Sequence, residues 1–264
     1  MRVRVVIQGV SGRMGQVVLS ALTKSPDFRP VGALRRRPEG DTYPLPDGSG
    51  LIPLSSDPAD LIRQARPDII LDFSVADATM ATARIALPLK VHLVTGTTGL
   101  TEAHLKELDA LARESGVGVV VAPNFALGAV LLVHLGRLLG RFFDYAEILE
   151  AHHEAKIDAP SGTALAIARA LVQGRGKPFT RPAPEKEPLP GTRGADFQGI
   201  TIHAQRLPGR LAHHEVVLGA LGQTLSLRHD TISRDCYIPG VLLALREVVQ
   251  LKGLVVGLER LLGL

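Results

Sequence analysis

The first residues of the chain run through a strand-like segment, a glycine-rich turn and a helix-like segment in close succession. Val3–Gln8 is a largely apolar run, typical of a parallel strand buried on both faces. The glycines that follow, Gly9, Gly12 and Gly15, have the spacing G-x-x-G-x-x-G, a variant of the dinucleotide-binding fingerprint. Residues 17–22 then show the apolar spacing of a helix. Because glycine permits a tight turn and a close approach to a pyrophosphate, this arrangement predicts a dinucleotide site at the first strand of an α/β sheet.

Strand-like and helix-like segments continue to alternate as far as about residue 122. The pattern predicts strands at about 30–34, 69–73, 91–95 and 117–121, and helices at about 75–86 and 102–114. Such alternation predicts a Rossmann-type, doubly wound parallel sheet, whose ligands bind beyond the carboxyl ends of the strands. Small polar groups follow three of these strands, at residues 72–74, 96–99 and 122–125, and they predict a cofactor rim.

Three consecutive arginines, Arg35, Arg36 and Arg37, follow the second predicted strand. NAD sites of this type usually have an acidic residue here, beside the ribose 2′-hydroxyl. Guanidinium groups instead favour a 2′-phosphate, because they bind phosphate through paired N–H groups. We therefore predict that NADPH binds at least as well as NADH. The alternative is an ordinary solvated basic loop.

The pattern changes from about residue 125 onward. A long apolar helix is predicted at 127–139, a strand at 145–151, a proline- and glycine-rich loop at 177–194, and further strands at 200–206, 215–220 and 224–228. Residues 239–264 are predicted to return to helix. The predicted division is a dinucleotide-binding domain of residues 1–124 and 234–264 and a C-terminal α+β substrate-binding and oligomerisation domain of residues 125–233. The second domain has an open mixed sheet, whose exposed face or edge must be covered, which favours oligomerisation.

Residues 150–165 read EAHHEAKIDAPSGTAL and place basic side chains just ahead of a helix start. In order, the segment contains His152, His153, Lys156 and the helix start Ser161, Gly162 and Thr163. A helix N-terminus has unpartnered N–H groups and the positive end of the helix dipole, so it attracts a carboxylate. Neighbouring strand residues point to opposite faces, so one histidine at most is expected to face a pocket squarely, unless the strand ends between them. The segment predicts a site that binds a small carboxylate and moves a proton beside it; the alternative is an ordinary strand end with a capped helix.

Composition excludes several other classes of protein. A single cysteine, Cys236, makes an internal disulfide impossible, and the strand-like N-terminus shows no signal peptide, so we expect a cytoplasmic protein. The most apolar window, residues 117–133, is interrupted by Pro123 and Asn124, so it is not a membrane span. The formal charge of +4 comes without a long basic tract, so neither nucleic acid nor a membrane is an expected partner. Asn124 is the only asparagine in the chain, which indicates a specific hydrogen-bonding role.

Four motifs together resemble one known family in order and spacing. They are Gly9-Val-Ser-Gly-Arg-Met-Gly15, Gly96-Thr-Thr-Gly99, Ala122-Pro-Asn-Phe125 and Glu150-Ala-His-His-Glu-Ala-Lys-Ile-Asp-Ala-Pro-Ser-Gly-Thr163. Nearly the whole chain resembles 4-hydroxy-tetrahydrodipicolinate reductase, also called dihydrodipicolinate reductase. The resemblance implies hydride transfer from NADPH or NADH to a cyclic, unsaturated dicarboxylate in the diaminopimelate route to lysine. It also implies a homotetramer joined through the sheet of the second domain.

The resemblance assigns roles to individual residues. His152 is implied to be the proton donor and acceptor, Lys156 the second catalytic donor, and His153, Gly162 and Thr163 substrate contacts, to which Ser161 is added by its place at the helix start. The implied cofactor contacts are Gly9, Val10, Ser11, Gly12, Arg13, Met14, Gly96, Thr97, Thr98, Ala122, Pro123, Asn124 and Phe125. Arg36 matches the position associated with the phosphate, and Arg35 stands where members that use NADH readily often have an acidic residue.

Three other functions remain open from the sequence. A metal-dependent hydrolase is suggested by His152-His153-Glu154 and His213-His214-Glu215, but no H-E-x-x-H pair shares one helical face, so no metal is expected. An aspartate or amino-acid dehydrogenase of the same architecture is separated only by the His-His-Lys segment, and an NADPH-binding sensor would keep the fold without the chemistry. The remaining histidines His213, His214 and His229 are predicted to be structural, and Arg206 and Arg210 are candidates to approach substrate carboxylates.

Overall fold

The structure is a computed structural model that describes residues 2–264. The chain divides into two compact units: the first ends at Ala126 and resumes over Tyr237–Leu264, and the second is Leu127–Cys236. The strands are β1 (Val3–Gln8), β2 (Phe28–Leu34), β3 (Thr42–Pro44), β4 (Leu51–Ser55), β5 (Ile69–Asp72), β6 (His92–Thr95), β7 (Gly118–Val121), β8 (Tyr145–His152), β9 (Ala195–Phe197), β10 (Ile200–Arg206), β11 (Ala212–Ala220), β12 (Gln223–Thr231) and β13 (Gly253–Val256). The α-helices are α1 (Arg13–Lys24), α2 (Pro58–Ala65), α3 (Ala76–Ala86), α4 (Glu102–Ser115), α5 (Leu127–Leu139), α6 (Gly162–Arg175) and α7 (Ile238–Val248).

The first unit is built on an eight-stranded sheet with the order β13-β7-β6-β5-β1-β2-β4-β3. Every neighbouring pair is parallel except β3 and β4. The central strand β1 buries Val5, Val6 and Ile7 completely, as expected for a strand covered on both faces. Helix α1 packs against α7, while α2, α3 and α4 pack successively on one another. The predicted Rossmann-type, doubly wound sheet is confirmed.

Capping residues explain where helices of this unit begin and end. Asp57 accepts hydrogen bonds from the first N–H groups of α2, and Pro58 occupies the first turn, where it needs no donor. Thr101 and His104 cap α4 reciprocally, and Gly116 ends it with φ +66°. These start and end signals depend only on neighbouring residues, so the helix boundaries in the first half of the chain can be predicted from the sequence.

The second unit is built on a five-stranded sheet with the order β12-β11-β8-β10-β9. β8 and β10 are parallel, and the other neighbouring pairs are antiparallel. On one face, Ile148, Ile202 and Val216 pack in a core with apolar residues of α5 and α6. On the other face of the central strand β8, Tyr145 and Leu149 are 43% and 37% exposed. The predicted open mixed sheet is confirmed, and its central strand presents apolar side chains to solvent.

Two regions differ from the sequence prediction. The prediction of helix throughout residues 239–264 is wrong: α7 ends at Val248, and β13 then pairs with β7. Gly253 has φ +108°, which is incompatible with a helix, and the short run after it completes the edge of the sheet. β11 and β12 are longer than predicted, because their antiparallel pairing continues through His213 and His214 beyond the apolar run.

Candidate active site

The turn after β1 depends on glycine at two positions. Gly9 has φ +78°, and a Cβ there would lie 2.6 Å from the carbonyl oxygen of Phe73. A Cβ on Gly15 would collide with the carbonyl oxygen of Gly9, so α1 lies directly against the turn. Gly12 is the N-cap of α1 and supplies no capping side chain. The first N–H groups of α1 are therefore available to an anion, and this turn fits the pyrophosphate of a dinucleotide.

The other predicted contacts of this turn differ in exposure. Ser11 and Arg13 are exposed, Met14 is half-buried and Val10 is fully buried. The side chain of Val10 lies beneath the turn, and its carbonyl oxygen accepts a hydrogen bond from Gln16 Nε2 at 2.6 Å. Val10 can therefore reach a ligand through its backbone alone.

Asp72, the last residue of β5, ties two neighbouring strand ends together. Its side chain is fully buried. Oδ2 accepts from the hydroxyls of Thr79, Thr95 and Thr97 at 2.6, 2.8 and 2.9 Å, and Oδ1 accepts from the Ser74 hydroxyl and N–H at 2.5 and 3.0 Å. These donors satisfy the carboxylate without a cation. The loop after β6 is held by Asp72, and the buried Thr97 hydroxyl points inward.

Gly96 and Asn124 shape the loops after β6 and β7. A Cβ on Gly96 would lie 2.5 Å from the ring of Phe73, and that ring packs edge-on against Phe125 with centroids 5.7 Å apart. Asn124 Oδ1 accepts from the N–H of Ala126 at 2.9 Å, which gives this asparagine a local turn-forming role. Of the remaining rim residues, Ala122 is buried, and Thr98 and Pro123 are exposed.

The three arginines after β2 differ in their partners. Arg35 forms an ion pair with Glu39, with 3.1 Å between Nη2 and Oε1. Within residues 2–264, the exposed Arg36 and Arg37 have no hydrogen bond or ion pair through their guanidinium groups. Their positive charge is therefore available to an anion.

In the second unit, the inner face of the sheet becomes polar toward the end of β8. Side chains alternate along a strand, so Glu150 and His152 continue the face that buries Ile148. β8 ends at His152, so His153 lies just beyond the strand. His214 on β11 is paired directly opposite Glu150. The strand therefore ends between the two adjacent histidines, and His152 is the one held on the inner face.

Glu150 is buried and makes four hydrogen bonds. Oε2 lies 2.5 Å from His152 Nδ1 and 2.8 Å from Arg206 Nη1, while Oε1 lies 2.8 Å from Arg206 Nη2 and 2.9 Å from the Ser161 nitrogen. Burial raises the pKa of Glu150, but the hydrogen bonds from His152, Arg206 and Ser161 outweigh it and lower the pKa to about 2. Glu150 is therefore an ionised carboxylate at neutral pH.

His214 joins this group to the start of α6. Its Nε2 lies 3.0 Å from Ser161 Oγ. The Ser161 hydroxyl oxygen accepts from the N–H of Ala164 at 3.1 Å and so caps α6. The rings of His214 and His152 pack edge to face, with centroids 5.3 Å apart. Burial, followed by the proximity of His152, lowers the pKa of His214 to about 4, so His214 is neutral at neutral pH.

The connection between β8 and α6 supplies a cation and free N–H groups. Lys156 Nζ pairs with Asp158 Oδ1 at 2.7 Å. At the start of α6, the N–H groups of Gly162 and Thr163 have no partner among the described residues, and the space beside Gly162 is open. The Ser161 N–H and hydroxyl are both used internally, so Ser161 supports the helix start. This connection can hold a carboxylate.

The two histidine-rich segments do not combine into a metal centre. Across residues 2–264, no group of three or more His, Cys, Asp or Glu is arranged to hold a metal ion. His213 instead pairs with Asp230 at 2.6 Å between Nδ1 and Oδ1. None of the helices within residues 2–264 is long and apolar enough to cross a membrane.

Two family profiles match almost the whole chain. The profile described as "Dihydrodipicolinate reductase, N-terminus" matches residues 3–125, and the one described as "Dihydrodipicolinate reductase, C-terminus" matches residues 127–262. The chain belongs to the dihydrodipicolinate reductase family. Its Rossmann-type unit accordingly binds NAD(P)H.

Curated relatives and solved structures agree with membership of the dihydrodipicolinate reductase family. A protein named 4-hydroxy-tetrahydrodipicolinate reductase in Dehalococcoides mccartyi is 49% identical over 99% of both chains. One of the same name in Bacillus subtilis is 40% identical over 98% of both chains. A dipicolinate-bound dihydrodipicolinate reductase from Paenisporosarcina sp. TG-14 superposes with a TM-score of 0.88 at 36% identity, covering 98% of this chain and 99% of that one. An amine dehydrogenase from Mycobacterium smegmatis, at 17% identity and a TM-score of 0.65, shares the fold alone.

Within this dihydrodipicolinate reductase fold, sequence reasoning missed the partners of His152. Glu150 could have been found from its spacing of two residues from His152 on a predicted strand, which puts both on one face. Arg206 and His214 carry no such signal, because their proximity depends on the pairing of β8 with β10 and β11. The sequence places Asp72 at the end of a predicted strand. Its threonine partners lie on separate elements, so the sequence pattern does not predict their contacts with Asp72.

Proposed function

We propose that this protein catalyses the NAD(P)H-dependent reduction of 4-hydroxy-tetrahydrodipicolinate, by way of dihydrodipicolinate, to tetrahydrodipicolinate in the diaminopimelate pathway of lysine biosynthesis. The proposal is carried by the 49% identity, over 99% of both chains, to a protein named 4-hydroxy-tetrahydrodipicolinate reductase. The intact motif at residues 150–163 supports it, because that segment separates this reductase from dehydrogenases of the same architecture.

The proposed cofactor site is the rim of the first unit. Its proposed contacts are Gly9, Val10, Ser11, Gly12, Arg13, Met14, Arg35, Arg36, Gly96, Thr97, Thr98, Ala122, Pro123, Asn124 and Phe125. The free N–H groups at the start of α1 suit a pyrophosphate, and the bound nicotinamide supplies the hydride. Asp72 and Phe73 support the loop after β6, so this rim is held in shape by buried contacts.

We propose that NADPH is preferred to NADH. Arg36 has no partner of its own among the described residues, while Arg35 shares its charge with Glu39. Arg36→Ala is expected to lower kcat/KM for NADPH about tenfold to hundredfold, the equivalent of one charge-assisted hydrogen bond, with little effect on NADH. Arg63→Ala, which removes an exposed arginine of α2, is the control. Equal values for the two cofactors in the unmodified enzyme would contradict the preference.

The proposed substrate site lies around the start of α6. The unpartnered N–H groups of Gly162 and Thr163, the helix dipole and the charge of Lys156 suit the carboxylates of a small dicarboxylate. The solved relative from Paenisporosarcina is described as dipicolinate-bound, and dipicolinate is such a dicarboxylate. His153 and Ser161 complete the proposed substrate residues, Ser161 by holding the helix start.

His152 is the proposed proton donor. Addition of a hydride to a conjugated imine leaves electron density on the nitrogen and a neighbouring carbon, and that carbon must then be protonated. His152 Nδ1 lies 2.5 Å from Glu150 Oε2, and its Nε2 has no partner among the described residues. General acid catalysis of this kind contributes about 10²- to 10⁴-fold to the rate. Lys156 is the second catalytic donor and stabilises the developing negative charge.

Turnover tests the proposal directly. The substrate is generated in situ with a dihydrodipicolinate synthase, and nicotinamide oxidation is followed with NADPH and NADH in parallel. Rapid substrate-dependent oxidation is the expected result. A folded protein that binds NADPH but oxidises it neither with this substrate nor with a keto acid plus ammonia would point to an NADPH-binding sensor. Oxidation of NADPH only with a keto acid plus ammonia would point to an amino-acid dehydrogenase.

We also propose a cytoplasmic homotetramer. Its dinucleotide-binding domain is residues 1–124 and 234–264, and residues 125–233 bind substrate and join the subunits. The exposed Tyr145 and Leu149 on the central strand of the open sheet support an interface on that face. Sedimentation equilibrium is expected to give a tetramer that Leu149→Lys dissociates, and a monomeric unmodified enzyme would contradict this.

A further inference from the structure

The carboxylate of Glu150 meets hydrogen-bond donors on both oxygens. The Ser161 N–H and Arg206 Nη2 contact Oε1, while Arg206 Nη1 and His152 Nδ1 contact Oε2. A backbone N–H and a guanidinium have no acceptor atom, so three of the four contacts run toward the carboxylate by necessity. A glutamine here would place its amide NH₂ against at least one of these donors in either orientation.

In the fourth contact, between Glu150 and His152, the ring nitrogen is the donor. The pKa of Glu150 is lowered to about 2, so Oε2 carries no hydrogen and can only accept. The hydrogen in the 2.5 Å contact therefore belongs to His152 Nδ1. Neutral His152 has its lone pair on Nε2, and protonated His152 carries its transferable proton there. His152 Nε2 makes no hydrogen bond within the described part of the chain.

Each element next to this pair carries charged or titratable groups. They are Arg206 on β10, His214 on β11, His229 in register with His214 on β12, and Lys156 and Asp158 in the connection to α6. Arg206 also donates to the backbone oxygen of Asp158 at 2.5 Å, which anchors the guanidinium at a second point. Glu150 itself is the group whose charged atom lies in direct contact with His152, 2.5 Å from Nδ1.

We propose that Glu150, clamped by Arg206, is a positioning residue that fixes the Nδ1–H tautomer of His152, so that Nε2 delivers the proton. The inference rests on the proposed function of His152 as proton donor. It assigns Arg206 to holding Glu150 rather than to binding a substrate carboxylate.

The first test needs no turnover. In unliganded protein labelled with ¹⁵N-histidine, the side-chain signals of His152 are assigned by their absence from His152→Gln, and the pH is raised until His152 is neutral. We expect a protonated Nδ1 and an unprotonated Nε2, and loss of this preference in Glu150→Gln. Asp230→Asn, which removes the 2.6 Å contact to His213 on the opposite face, is the matched control and leaves the His152 signals unchanged. An unprotonated Nδ1 in the unmodified protein would overturn the inference.

The second test is the pH profile of kcat. Glu150→Gln is expected to lower kcat at least about tenfold, because His152 is no longer held as the proton donor. The Kd of NADPH is expected to stay within about twofold, because none of the proposed cofactor contacts bonds to Glu150. The alkaline limb of kcat also changes position, because the proton donor has lost the charged group in direct contact with it. Glu150→Asp, which keeps the charge, recovers part of kcat. A purely structural role would lower stability and leave the shape of the profile unchanged.

Glu150→Gln leaves Arg206 without its carboxylate and can fail to fold for that reason. Glu150→Gln/Arg206→Met, which removes both charges together, is then measured in its place. A folded variant with the kcat and pH profile of the unmodified enzyme would overturn the inference. If the unmodified enzyme reduces no substrate, the proposed function fails, while the tautomer measurement still decides the role of Glu150.

Discussion

Replacement of Asp72 by asparagine tests whether its carboxylate holds the strand ends of the first unit together. The side chain is fully buried, and Oδ2 accepts hydrogen bonds from Thr79, Thr95 and Thr97 at 2.6 to 2.9 Å. Hydrogen bonds to a charged group contribute about 1.5–3 kcal/mol each, against about 0.5–1.5 kcal/mol for neutral ones. In Asp72→Asn each hydroxyl bond therefore loses about 1 kcal/mol. We expect the free energy of unfolding to fall by about 3 kcal/mol.

Differential scanning calorimetry measures this loss. For a unit of this size, about 3 kcal/mol lowers Tm by about 6–12 °C. Thr79→Val removes one whole hydrogen bond to the carboxylate, about 1.5–3 kcal/mol, at nearly constant shape and should give about half to all of that shift. Asp77→Asn, on the exposed side of α3, is the control and should cost less than about 1 kcal/mol. A Tm for Asp72→Asn within about 2 °C of the unmodified protein would refute the reasoning, since the network would then add nothing to stability.

Three further outcomes follow from the second unit. The pKa of His214 lies at about 4 instead of its ordinary 6.5, so the unfolded chain takes up this proton first and stability present above pH 6.5 is lost as the pH falls toward 4. Between pH 7 and pH 5 the free energy of unfolding is expected to fall by about 2 kcal/mol for this reason, and urea titrations should show that His214→Gln lacks this loss. The same dependence of the unfolding free energy on pH in both proteins would contradict the prediction. His152→Gln should lower kcat about 10²- to 10⁴-fold in steady-state assays while the Kd of NADPH stays constant, and a normal kcat would remove its assigned role. Lys156→Ala should lower kcat and raise the substrate KM, and unchanged values of both would exclude its role.

The parts of the fold that could be predicted are those specified by neighbouring residues. The strand, glycine turn and helix of residues 3–24 were readable because φ +78° at Gly9 and the apolar spacing of α1 are local properties. β13 was missed because its four residues follow a leucine-rich helix and become a strand only by pairing with β7, more than a hundred positions away. A short apolar run does not distinguish a helix from a strand without that partner.

The candidate site divides in the same way. The order His152, Lys156 and the α6 start was readable, because these residues lie in one continuous segment. Arg206 and His214 reach Glu150 only because β8 pairs in parallel with β10 and antiparallel with β11. A shift of either pairing by one residue would turn the partner to the other face of the sheet, so the network depends on register, which no local pattern encodes.

Two buried carboxylates in this chain are stabilised by different means. Asp72 is surrounded by hydroxyl and backbone donors, none of which titrates near neutral pH, so its environment keeps the same charge throughout a reaction. Glu150 is bonded to a guanidinium and to an imidazole, and the imidazole can gain or lose a proton. Apolar replacements of buried ion pairs are often neutral or stabilising, so stability alone gives little reason to keep Glu150 and Arg206. A carboxylate in contact with a proton donor does give such a reason, because it holds the ring of His152 and sets which of its nitrogens carries the hydrogen.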